Sequence, residues 1–69
     1  MFLKLSTKVI GKENDYTVKM YIQKERIISV SSLLIDDGRE VAEIVYLDAD
    51  GIGRHIVTEE SFDEVTNKL

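Results

Sequence analysis

The stretch that decides the fold reads Ile56-Val57-Thr58-Glu59-Glu60-Ser61-Phe62-Asp63-Glu64-Val65-Thr66-Asn67-Lys68-Leu69. Its β-branched start, followed by polar residues and a helical spacing of apolar ones, predicts a strand that turns directly into a short helix. Thr58 is the expected N-cap, because its hydroxyl can accept a bond from a free N–H of the first turn. Ser61 and Glu64 form a second capping box, so a helix start one turn later is the alternative.

A helix this short is unstable alone, so the rest of the chain must supply an apolar surface for it. Phe62, Val65 and Leu69 form one apolar stripe, and Val57 with Phe62 has the spacing of a hydrophobic staple. We expect the stripe to pack on residues from several strands, namely Val18, Met20, Ile22, Ile44 and Val57.

Four earlier segments predict strands: residues 2–9, 16–23, 27–35 and 40–47. The first two alternate apolar and polar residues, as half-buried strands do. In the second, the predicted inward residues are Tyr16, Val18, Met20 and Ile22. The fourth is almost continuously apolar, which favours the centre of the sheet. The predicted edges are the first strand and residues 27–35, with a bulge near Ser31-Ser32.

Turn signals separate these strands. Asp36-Asp37-Gly38 predicts a tight hairpin, residues 48–53 predict a second turn, and residues 11–15 a polar hairpin loop. Connections this short indicate antiparallel pairing. The sequence therefore predicts one α+β, mostly β, domain over residues 1–69: a strongly bent antiparallel sheet of about five strands with one C-terminal helix. A small SH3-like barrel is the alternative.

Composition limits the classes of function. The 69 residues contain no cysteine and carry a net charge of −4. Residues 1–35 hold six Lys/Arg and three Asp/Glu, whereas residues 36–69 hold three Lys/Arg and ten Asp/Glu. The acidic half argues against a general nucleic-acid binder. No apolar run has the length of a membrane span and no signal peptide is evident, so we expect a cytoplasmic protein without a membrane partner.

The sequence offers little chemistry for catalysis. Asp48, Asp50 and Glu59 match part of a calcium-loop spacing, but Ile52 stands where an oxygen ligand belongs, and a polar turn is the favoured interpretation. His55 is the only histidine, so zinc lacks ligands, and no serine lies in a nucleophile motif. We therefore predict that the protein is not an enzyme and has no cofactor or evident small-molecule substrate.

Two interaction surfaces remain as hypotheses. The first is self-association or protein binding through Leu33, Leu34 and Ile35, because this predicted edge strand is apolar and uncharged. A closed, monomeric barrel is the alternative to a homodimer. The second is nucleic-acid binding by a small β-barrel through Lys4, Lys8, Lys19 and Tyr21 of the basic N-terminal hairpin, where cations accompany an exposed aromatic ring.

Several short motifs carry a resemblance to a known family; they are Leu3-Lys4-Leu5-Ser6, Gly51, Val57, Glu60-Ser61 and Glu64-Val65. In these the chain resembles the FlbD family of small flagellar and swarming-motility proteins, which open with an Ile-x-Leu-Thr strand and end in a glycine turn, a valine strand, Glu-Ser and a short helix. The resemblance implies the strand–helix ending and no catalytic residues. Hairpins around residues 36–38 and near Gly11 depart from the family. The composition also resembles small proteins of low-GC bacteria and phages.

Overall fold

The computed structural model describes residues 1–10 and 12–69; Gly11, in the predicted hairpin loop, and the side chain of Ile10 lie outside the described residues. The described part forms five strands and a final helix, with these bounds: β1 Phe2–Ile10, β2 Asp15–Gln23, β3 Ile27–Leu34, β4 Glu40–Leu47, β5 Gly53–Ser61 and α1 Phe62–Asn67. A 3₁₀ turn at Lys24–Arg26 joins β2 to β3. All strand pairs are antiparallel, which confirms the predicted fold class.

The strands lie in the order β2-β1-β5-β4-β3. β1 pairs with β2 along its whole length, from Phe2 opposite Gln23 to Ile10 opposite Asp15. By contrast, β1 and β5 are in register at a single position, Thr7 opposite Thr58. The sheet therefore consists of a β1–β2 hairpin and a β3–β4–β5 meander that are joined at a narrow seam.

The sheet bends at this seam so that its two halves share one core. Leu3 and Leu5 of the hairpin are buried in the same cluster as Ala42 and Ile44 of the meander. One face of the sheet can pack against itself only if the sheet folds over. In the described part of the chain β2 and β3 are each paired on one side only, so the closed SH3-like barrel does not form.

Side chains complete the seam where backbone pairing stops. The carboxylate of Glu60 accepts a bond from the Ser6 N–H at 2.9 Å, and Thr7 Oγ1 donates to the Val57 carbonyl at 2.6 Å. Beyond the last strand residue, Lys68 Nζ donates to the Lys4 carbonyl at 3.1 Å. Side chains thus satisfy the Ser6 N–H and the Lys4 carbonyl of β1, and the Val57 carbonyl of β5, where the ladder between the two strands ends.

The strand order corrects three predictions. β1 is an interior strand, and the second edge is β2, because β5 reaches β1 from the far end of the sequence. The centre of the sheet is β5, with β4 beside it. The irregularity in β3 lies between Ile27 and Ser29 instead of at Ser31-Ser32. The prediction of an edge strand here is confirmed for Ile27–Leu34, whereas Ile35, the last residue of the predicted strand, lies at the turn.

Helix α1 begins one turn later than its first expected start. Ser61 is the N-cap: its Oγ accepts from the Glu64 N–H at 3.1 Å, and the Glu64 carboxylate accepts from the Ser61 N–H. Thr58 instead lies buried in β5. Val65 is fully buried and Phe62 half-buried, whereas Leu69 is 54% exposed and outside the stripe. In the described residues, no helix is long and apolar enough to cross a membrane.

Fewer residues of β2 pack against the core than predicted. Ile22 is buried and Met20 half-buried against the core, but Tyr16 and Val18 are exposed. These two residues lie at the loop end of the hairpin, beyond the region that faces the meander. The predicted turns at residues 36–38 and 48–53 do form, with Gly38 and Gly51 at φ 86° and 78°, a conformation that glycine adopts without steric cost.

Candidate functional site

The free edge of β3 presents a row of backbone groups. The Ile35 N–H donates to the Arg39 carbonyl at 3.0 Å. This bond shows which residues of β3 direct their backbone groups toward β4, namely every second residue counted back from Ile35. Leu33 and Ser31 then face β4 with their backbone groups, and those of Val30, Ser32 and Leu34 point away from the sheet. This edge is therefore ready to pair with another strand.

The side chains along β3 do nothing to discourage such pairing. Its eight residues are uncharged, and Ile28 and Leu34 are 59% and 72% exposed. The predicted interaction residues Leu33, Leu34 and Ile35 are not equally exposed, however. Leu33 is half-buried opposite Val41 on one face, Ile35 is half-buried at the turn, and only Leu34 projects fully into solvent.

The structure brings the four predicted hairpin residues onto one exposed face. Lys4 lies opposite Tyr21, and Ser6 lies opposite Lys19. Lys8 is two residues after Ser6 on β1, so its side chain is on the same face. All four predicted side chains are exposed, and their face points away from the core. We call this surface, defined by Lys4, Lys8, Lys19 and Tyr21, the hairpin face.

Phe2 is a residue of this region that the sequence analysis missed. Its ring makes an edge-on contact with Tyr21, with centroids 6.5 Å apart and planes at 86°, and both rings are over 60% exposed. Exposed aromatic pairs beside cations are a feature of binding surfaces. The available signal was strand alternation, which places Phe2 on the same face of β1 as Lys4 and Lys8.

Acidic groups partly neutralise the positive charge of the hairpin face. Lys8 Nζ lies 3.6 Å from the Asp15 carboxylate, and the Glu59 carboxylate accepts from Thr17 Oγ1 at 3.3 Å. The basic character is therefore concentrated toward the end of the hairpin that holds Lys4, Lys19 and Tyr21.

The proposed calcium residues are not brought together. Asp48 organises the β4–β5 turn: its carboxylate accepts from the backbone N–H groups of Asp50 and Ile52 at 2.9 and 3.0 Å and from Arg54 Nε at 2.8 Å. Glu59 lies six residues along β5 from Gly53, a distance of about 20 Å at the rise of a strand. Among the described residues no cluster of three acidic or histidine side chains could hold a metal.

This turn predicts a specific pH dependence. The Arg54 guanidinium, with help from the Ile52 and Asp50 N–H groups, holds the pKa of the Asp48 carboxyl below its ordinary value. A lowered pKa in the folded state stabilises the protein above the unfolded pKa, and this contribution is lost as pH falls below about 4. We expect Asp48→Asn to be less stable than wild type at neutral pH, and the difference to shrink in acid.

Urea unfolding at several pH values measures this difference. Asp50→Asn, which changes an exposed carboxylate of the same turn, is the matched control and should remain close to wild type in stability. A constant difference between Asp48→Asn and wild type from neutral pH to acid would contradict the assignment.

Comparison of the chain with protein-family models, with curated proteins and with solved structures found no match, so the FlbD resemblance stays a prediction.

Proposed function

We propose that the protein is a non-enzymatic interaction module that self-associates by pairing the β3 edges of two copies. The observation that carries this proposal is the uncharged, eight-residue edge strand with exposed Ile28 and Leu34. A two-fold axis would join the two sheets into one continuous sheet. The cytoplasm remains the expected compartment, from the sequence alone.

The alternation of β3 favours a particular register. If the axis passes through Ser32, the outward backbone groups of the two strands can exchange bonds, and Val30 of each copy faces Leu34 of the other. This register would cover Leu34, the most exposed residue of β3. The other edge, β2, carries Asp15 and Lys19, and charges on an edge discourage pairing between identical copies.

Light scattering after size exclusion tests the dimer. Wild type should show twice the mass of one 7.9 kDa chain. Ser32→Pro removes an N–H that points away from the sheet, so the fold should persist while the edge can no longer pair. Leu34→Lys adds a charge at the same edge, and both variants should be monomers at the same concentration.

Ile52→Lys is the matched control for the lysine variant. Ile52 is also an exposed apolar residue, at 51%, but it lies in the β4–β5 turn, so this variant should remain a dimer. A monomeric wild type at high micromolar concentration contradicts the proposal, as does a dimer that survives both edge substitutions.

A second candidate is the binding of single-stranded nucleic acid on the hairpin face. It is supported by the common exposure of Lys4, Lys8, Lys19 and Tyr21, with bases stacking on Tyr21 and Phe2 and phosphates near the lysines. A labelled oligonucleotide should bind at low salt and dissociate as salt rises. Absence of binding at micromolar protein and low salt would remove this candidate.

A further inference from the structure

A groove of about 410 Å³ opens between the end of the β1–β2 hairpin and the β4–β5 turn. Its apolar lining comes from Met20, Ile22, Tyr46 and Leu47, and from the aromatic pair Phe2 and Tyr21. Arg26 spans one end, with Nε donating to Gln23 Oε1 at 3.0 Å and Nη1 donating to the Asp48 carbonyl at 2.8 Å. Arg26 thus links the end of β2 to the β4–β5 turn across the groove, with apolar surface beside it.

The wall formed by β2 is an edge strand. The Lys24 N–H donates to the Met1 carbonyl at 2.9 Å. Counted back from Lys24, every second residue of β2 therefore directs its backbone groups toward β1. The backbone groups of Tyr21 and Gln23 then point away from β1, and in the described part of the chain no strand pairs with that side. Unpaired backbone groups and an apolar groove therefore border the same short segment.

Charge around the groove is biased toward cations. Lys19 lies on β2, and Lys24 and Arg26 lie in the 3₁₀ turn that follows. Two of the neighbouring acids are already paired: Glu25 binds the N-terminal ammonium at 2.8 Å, and Asp48 binds Arg54 at 2.8 Å. A protein with a net charge of −4 thus presents a locally positive surface here.

We propose that the groove and the β2 edge bind an extended segment of a partner protein in which apolar and acidic residues alternate. The segment adds a strand beside Tyr21 and Gln23, a mode of recognition in which backbone bonds supply affinity and alternate side chains supply specificity. Side chains on its inner face enter the groove against Met20 and Ile22. Those on its outer face meet Lys19 and Lys4, which is why acidic residues are required there.

A short fluorescent peptide in which Glu alternates with Leu and Val is a direct probe. We expect polarisation to report binding, and the same peptide with Lys in place of Glu to bind at least about tenfold more weakly. In a ¹⁵N-labelled sample the amide hydrogens of Tyr21 and Gln23 should exchange more slowly once the peptide is bound, because they become paired. Absence of binding at millimolar peptide overturns the proposal.

Groove variants separate this site from other surfaces. Leu47→Glu alters a groove wall that is 38% exposed and should weaken binding about tenfold or more. Ile52→Glu, outside the groove lining, should bind as wild type does. Phe2→Glu is a second groove variant, at a residue 61% exposed, in case Leu47→Glu does not fold.

Three results would reject the proposal. Equal binding by wild type and both groove variants would place the peptide elsewhere. Slow exchange of the Tyr21 and Gln23 amides without peptide would show that a second copy of the chain occupies this edge. Displacement of the peptide by an oligonucleotide, with no slowing of exchange at Tyr21 and Gln23, would assign the surface to nucleic acid.

Discussion

Replacement of Ile44 by alanine is expected to destabilise the protein by about 2–5 kcal/mol. Ile44 is fully buried where the core residues of the hairpin meet those of the meander. Its loss removes buried apolar surface and leaves a cavity that the packed strands can fill only in part. A domain of this size has a total stability of roughly 0.05–0.15 kcal/mol per residue, so the variant should be largely unfolded at mild urea concentrations.

Ile52→Ala provides the same chemical change at an exposed position. Ile52 is 51% exposed in the β4–β5 turn, and its substitution should change the free energy of unfolding by less than about 0.5 kcal/mol. Urea denaturation followed by circular dichroism measures both variants. Similar midpoints for the two would mean that Ile44 does not lie at the centre of the core.

Thr58→Val is expected to cost about 1–3 kcal/mol, although the two side chains have the same shape. The register of β4 and β5 shifts between Val41 and Glu43, which leaves Ala42 without a backbone partner on β5. Thr58 Oγ1 replaces that partner: it accepts from the buried Ala42 N–H at 3.1 Å, and its proton lies within reach of the Glu60 carbonyl at 2.9 Å. Valine leaves the Ala42 N–H buried and unsatisfied.

Thr17→Val is the control for this loss of a hydroxyl. Thr17 is exposed, and among the described residues its hydroxyl bonds to the Glu59 carboxylate alone, at 3.3–3.4 Å. Valine should therefore be tolerated within about 0.5 kcal/mol. Thermal and urea unfolding of both variants compare the two sites directly. A Thr58→Val protein as stable as wild type would show that the hydroxyl does not support the irregular pairing.

Local patterns predicted the elements of this fold well. Alternation marked β1 and β2, Asp37-Gly38 marked the tight turn, and Ser61 with Glu64 formed the capping box. Each signal acts within a few residues, so the sequence carries it directly. An edge strand was predicted over residues 27–35 and forms over Ile27–Leu34. The four residues of the hairpin face were predicted on the outer face of the first hairpin, where they are exposed.

Contacts between segments distant in the sequence could not be predicted from local patterns. Thr58 has the properties of a helix cap, and only its position opposite Ala42 shows that it serves an irregular strand pair. The identity of the second edge depended on β5 pairing with β1, a contact between residues about fifty positions apart. The groove likewise joins Met20 and Ile22 to Tyr46 and Leu47, and no local pattern shows that these segments face each other.

The narrow seam between β1 and β5 has a consequence for the order of folding. The hairpin and the meander each form by pairing neighbouring segments, whereas the Ser6–Glu60 and Thr7–Val57 bonds close separations of 54 and 50 residues. Closing a long loop is slow because its entropy is lost before the contacts compensate for it. We expect the two halves to assemble early and their docking to limit the folding rate, so that a tether between the first and last elements would accelerate folding more than a tighter turn within either half.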